Sequence, residues 1–70
     1  MTKRKRIEDF LYEERMKKNV SQEKFAKEIG IAFVTYNNLE SGNYNSLSYK
    51  TIAKISEYFE ISPEKIREML

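Results

Sequence analysis

Side chains able to do covalent or metal chemistry are scarce in this sequence. It contains no cysteine and no histidine. Disulfides, thiolate metal sites, the usual zinc chemistry and histidine general-base catalysis are therefore all excluded. No nucleophile–base pair, metal cluster or phosphate-cradling glycine loop is visible, so no enzyme, cofactor or metal is expected. What remains is recognition by hydrogen bonds, charge and apolar contact. Two neighbouring carboxamides, Asn37 and Asn38, follow the apolar pair Phe33 and Val34. Lys3, Arg4, Lys5 and Arg6 form an uninterrupted basic run. Taken alone, that run is either a solvated tail that aids solubility or an arm able to contact phosphates.

The element that must position the carboxamides is the stretch Ser21–Gly42, SQEKFAKEIGIAFVTYNNLESG. Ser21 is a good N-cap, and Gln22 and Glu23 suit a first helical turn. Phe25, Ala26 and Ile29 then recur at helical spacing. Gly30 follows, where a chain leaving a helix often needs positive φ. A second periodic set places Ile31, Tyr36 and Leu39 inward and ends at Ser41-Gly42. The expected helices span about Gln22–Ile29 and Ala32–Ser41. Two helices joined by a glycine-containing turn form a helix-turn-helix. If the second packs through Tyr36 and Leu39, then Phe33, Val34, Asn37, Asn38 and Ser41 point outward.

Three more helices complete the reading. A first, from about Lys5 to Lys18, shows an apolar face of Ile7, Phe10 and Leu11, with Met16 as a lower rung. Its outer face carries Glu8, Asp9, Glu13 and Lys17. A fourth begins near Ser48 and runs to about Phe59, with Tyr49, Ile52, Ala53, Ile55 and Phe59 as its core stripe. Ser62-Pro63-Glu64 is a clear helix start, Ser as cap and Pro at the first position. Ile61, Ile66, Met69 and Leu70 either pack on the first or fourth helix or form a dimer surface.

Seventy residues suit one small domain. Hydrophobic content of 40% against 34% charged residues fits a compact helical fold rather than disorder. The net charge of +2, from 13 basic and 11 acidic residues, is too small to identify a polyanionic partner. No apolar run approaches the roughly 20 residues of a membrane helix, and the charged start lacks a signal-peptide core. A reducing, cytoplasmic setting is expected, with no membrane partner.

The spacing resembles the Cro and lambda-repressor-type (XRE-like) helix-turn-helix family over roughly residues 7–70. Gln22 stands at the family's opening glutamine, Ala26 at its small residue and Gly30 at its turn. Ile31, Tyr36 and Leu39 occupy its buried positions, Glu40 its acidic position and Gly42 the end of its second helix. Arg15 matches an arginine that in the family commonly pairs with that glutamate; read without the family, Arg15 could simply be exposed. There are departures. Ala32 stands where Ser or Thr often caps, and Glu14 where an apolar residue is frequent. Asn19 replaces a frequent Gly, and the loop after Gly42 is about one residue longer and lacks a Pro.

The resemblance implies an all-α, five-helix lambda-repressor-like domain over 7–70, preceded by a basic arm, 1–6. It implies a DNA-binding transcriptional regulator, a small bacterial or phage-type repressor acting on double-stranded DNA as a homodimer. The setting would be the bacterial nucleoid or a phage-infected host cell. The outward face of the second motif helix would enter the major groove, with Phe33, Val34, Asn37 and Asn38 at the bases. Asn can bond adenine bidentately and apolar groups can meet the thymine methyl, which suggests an A·T-leaning site. Gln22, Thr35, Ser41, Asn43, Tyr44, Asn45, Ser46 and Lys50 would face the backbone, and Lys3, Arg4, Lys5 and Arg6 would act as the arm. Phe33 and Val34 leave other readings open: one turns into the core, or both dock a protein, as in an antitoxin or antirepressor on the same fold.

Overall fold

Local signals start and stop each helix in the computed structural model, which describes residues 5–45 and 47–70. The elements are α1 (Ile7–Lys18), α2 (Gln22–Ile29), α3 (Phe33–Ser41), α4 (Tyr49–Phe59) and α5 (Pro63–Glu68). Ser21, Ser48 and Ser62 each turn a side-chain oxygen onto a backbone N–H of the first turn, those of Lys24, Thr51 and Lys65. Each thereby satisfies one donor that a helix start leaves without a partner. Gly30 (φ 95°) and Gly42 (φ 77°) close α2 and α3 in the left-handed region. Asn19 and Glu60, both at φ 57°, do the same for α1 and α4.

The fold is all-helical, with no strand among the described residues. Its core is built from Ile7 and Leu11 of α1, Phe25, Ala26 and Ile29 of α2, Tyr36 and Leu39 of α3, Ile52 and Ile55 of α4, and Ile66 of α5 with Met69 just after it. α3 packs between α1 and α2, and α4 lies against α2 and α5. Phe25 sits at the centre, edge-on to Tyr36 (5.6 Å), Tyr58 (5.7 Å) and Phe59 (6.1 Å). Such edge-to-face pairs add to what area burial alone contributes. The two ends of the described chain meet: the Ile7 N–H donates to the Met69 carbonyl at 2.8 Å. Ile61, Ile66, Met69 and Leu70 thus belong to the core or pack against it.

Some expectations need correction. α1 begins at Ile7 rather than Lys5, because Arg6 has extended geometry (φ −90°, ψ 159°) as its N-cap. Met16 is exposed instead of forming a lower rung. It lies five residues after Leu11, about 140° further round at 3.6 residues per turn. Tyr49 is 75% exposed rather than in the core stripe. At the same pitch it stands roughly 85° from the centre of the arc of Ile52, Ile55 and Phe59, and it opens the first turn. α3, finally, starts at Phe33 with Ala32 as a cap that makes no side-chain hydrogen bond.

Candidate nucleic-acid interface

α3 contains a single charged residue, Glu40, and that residue faces inward. Its side chain is 7% exposed and that of Arg15 is 12% exposed. The Arg15 guanidinium grips the carboxylate with both prongs, Nε to Oε2 and Nη2 to Oε1, each at 2.9 Å. Its third group, Nη1, donates to the Val20 carbonyl at 3.0 Å. The Tyr36 hydroxyl donates to Glu40 Oε2, and Gln22 Nε2 donates to Oε1 at 2.7 Å. Arg15 therefore ties α1 to α3, and Gln22 ties the start of α2 to the end of α3.

Burial disfavours the charge on Glu40, but hydrogen bonds from Arg15, Tyr36 and Gln22 outweigh it and hold the carboxyl below its ordinary range. Burial, reinforced by the hydrogen bond to Glu40, pushes the Tyr36 phenol far up. The hydrogen bond to Glu40 raises Arg15 further. The cluster is a fixed charge pair at neutral pH, and its geometry sets how α3 stands on α1 and α2.

At its surface, α3 presents Phe33 at 46% and Val34 at 66% exposure. Neither turns into the core. Phe33 borders an open depression of about 580 Å³ along α2, shared with Lys24, Ala26, Lys27 and Ile31. Asn37 and Asn38 are half-buried. Asn37 Nδ2 donates to Gln22 Oε1 at 2.9 Å, whereas no hydrogen bond among the described residues uses the Asn38 side chain. The Ser41 hydroxyl is turned back onto its own helix, 2.9 Å from the Asn37 carbonyl.

The remaining expected backbone-facing residues fall into two hollows. Thr35, Asn38, Asn43, Tyr44 and Asn45 surround one beside the end of α3. Thr35 also borders the other, between the starts of α3 and α4, with Lys50, Thr51 and Lys54. Ser46, Lys3 and Arg4 lie outside the described residues. Gln22 is drawn into the Glu40 cluster, as above. Tyr44 is half-buried and its hydroxyl donates to Glu8 at 3.2 Å. Of the basic run, Arg6 pairs with Glu8 (3.2 Å) and Lys5 with Glu13 (2.7 Å); such exposed pairs are weak and readily exchanged for another anion.

Two residues that sequence reasoning passed over belong here. Lys54 shares the second hollow with Lys50, and the four-residue spacing that puts both on one side of α4 was a usable signal. Glu8 anchors Tyr44 across 36 positions, and no local pattern carries that pairing. Among the described residues no group of acidic side chains could hold a metal, and no helix is long and apolar enough to cross a membrane.

Searches of curated proteins and of solved structures returned no match. The family model described as helix-turn-helix matches residues 11–66, which takes in most of α1, all of α2 to α4 and the start of α5. With that match over most of its length, and α2 and α3 joined at Gly30 and locked by Glu40, the chain belongs to the XRE/Cro/CI-type helix-turn-helix family of DNA-binding regulators.

Proposed function

We propose that this protein is a sequence-specific transcriptional regulator, a small repressor that binds operator DNA as a homodimer with α3 in the major groove. The observation that carries the reading is the two-sidedness of α3. Its only charge is held inside by Arg15, Gln22 and Tyr36, while Val34 and Asn38 point away from the core and Phe33 and Asn37 stand at the surface on the α2 side. A helix fixed in this way can present the same side chains to base edges at each encounter. Asn offers the donor–acceptor pair that adenine matches, and Phe33 and Val34 offer apolar contact to thymine methyls. Lys50 and Lys54, with Thr35, Asn43 and Asn45, flank α3 with groups suited to phosphate oxygens. Lys3 to Arg6 extend the basic surface as an arm from residues 1–6, and the protein would act in the cytoplasm. One domain covers one half-site, so a two-fold operator is expected.

Selection from random duplexes, repeated across salt concentrations, tests this. The expected result is a two-fold symmetric motif bound at about 10⁻⁸ M or tighter. Asn38→Ala should relax one position of that motif while leaving the fold unchanged. Removing residues 1–6 should weaken binding broadly and lower the slope of log affinity against log salt by about 0.9 for each phosphate that the arm had neutralised. Weak binding without a motif would reject the reading. A second reading, a protein-docking module, is favoured by the exposed pair Phe33 and Val34 beside the α2 depression. It would be supported if substituting both left DNA binding untouched.

A further inference from the structure

The hydrogen bonds leading from Glu40 to Asn37 have a direction that cannot be reversed at either end. An ionised carboxylate only accepts, and a guanidinium only donates. With Glu40 gripped by Arg15, the amide of Gln22 must turn Nε2 towards it, as it does at 2.7 Å. Gln22 Oε1 is then left facing Asn37, and Asn37 must answer with Nδ2, at 2.9 Å. Turning the Asn37 amide over would set Oδ1 against Gln22 Oε1, acceptor against acceptor. Turning Gln22 over as well would only move the clash onto Glu40.

Asn37 therefore holds Oδ1 and its second Nδ2 hydrogen in one fixed order. Asn38 differs, because no hydrogen bond among the described residues holds its amide. In the major groove, adenine and cytosine offer an exocyclic amino donor, whereas guanine and thymine offer carbonyl acceptors at that edge. We infer that Asn37 is a specificity-determining residue, oriented by Gln22 and Glu40 so that Oδ1 meets the exocyclic group of the base, which selects an amino-bearing base, adenine or cytosine, at one position of the site. The remaining Nδ2 hydrogen can donate to adenine N7, so adenine is preferred of the two. The inference rests on the proposed placement of α3 in the major groove.

The test compares the full chain with Asn37→Ala, Gln22→Ala and Asn38→Ala in the same duplex selection, with circular dichroism checking each fold. The expected result is a wild-type motif with one position confined to adenine or cytosine on the contacted strand. Asn37→Ala lowers that preference about five-fold or more and spares the other positions. Gln22→Ala still binds but admits guanine or thymine there. A motif that Asn37→Ala leaves unchanged overturns the inference while the regulator reading stands. The absence of any wild-type motif overturns both. Because Gln22→Ala can also weaken the fold, a second measurement needs neither variant nor DNA. By NMR, the Asn37 side-chain amide protons should exchange with solvent more slowly than those of Asn38. Equal rates overturn the fixed orientation.

Discussion

Glu40 concentrates the electrostatics of the molecule in one side chain. Its carboxylate accepts from Arg15, Gln22 and Tyr36, and little solvent reaches it. A buried pair of this kind adds little net stability over an apolar replacement, yet removing one partner leaves the other charge stranded. Glu40→Ala should therefore cost about 3–5 kcal/mol in urea denaturation, most of a small domain's stability, with Glu40→Gln milder because it keeps the shape. The pH dependence follows from the same contacts. The folded-state carboxyl titrates below its ordinary value of 4.5, so the unfolded chain takes up the proton first as pH falls. The stabilisation is complete above about pH 4.5–5 and is lost as pH drops through the lower folded value. Glu8, Glu13 and Glu28 shift the same way at more exposed sites. The part due to Glu40 is the difference between wild type and Glu40→Gln, whose acid limb should be shallower.

At the scale of elements, the stops matter as much as the starts. Gly30 turns the chain from α2 into the motif turn at φ 95°, and a Cβ there would meet Lys54 Cδ at an ordinary 3.5 Å. Gly30→Ala should therefore destabilise by backbone strain alone, about 1–2 kcal/mol, with no clash to relieve. The end of α4 is the mirror case. Glu60 holds φ 57° with a full side chain. Glu60→Gly should raise the denaturation midpoint, by up to roughly 1 kcal/mol, because relief of strain exceeds the added flexibility of the unfolded chain. Thermal melts of the two variants should move in opposite directions.

For the molecule as a whole, the two ends of the described chain are tied by one backbone hydrogen bond, from the Ile7 N–H at the start of α1 to the Met69 carbonyl. Ile66 is fully buried, and Met69 is itself buried. A domain this small has few core side chains in reserve. Ile66→Ala should cost about 2–5 kcal/mol, enough to leave a substantial unfolded fraction at 37 °C, read by circular dichroism. The proposed operator-binding surface lies on α3, away from this seam, so DNA at saturating concentration should recover much of the stability by binding only the folded state.

Helix boundaries and most of the core were legible in the sequence because their signals are local. A serine cap acts on a backbone N–H three residues on, a glycine sets its own φ, and Phe25, Ala26 and Ile29 share a face through helical pitch alone. The same locality made Arg15 and Glu40 visible only through the family's spacing, since 25 positions separate them. Packing decided what pitch could not: that Phe33 and Val34 both remain on the surface. It also decided that Gln22 turns inward to Glu40 and thereby orders the Asn37 amide, and that Tyr44 reaches back to Glu8. By itself the sequence determined five helices, most of their ends and an uncharged outward face on α3. Only the tertiary structure decided which polar groups on that face are already engaged, because a hydrogen bond between distant side chains depends on where whole helices come to rest.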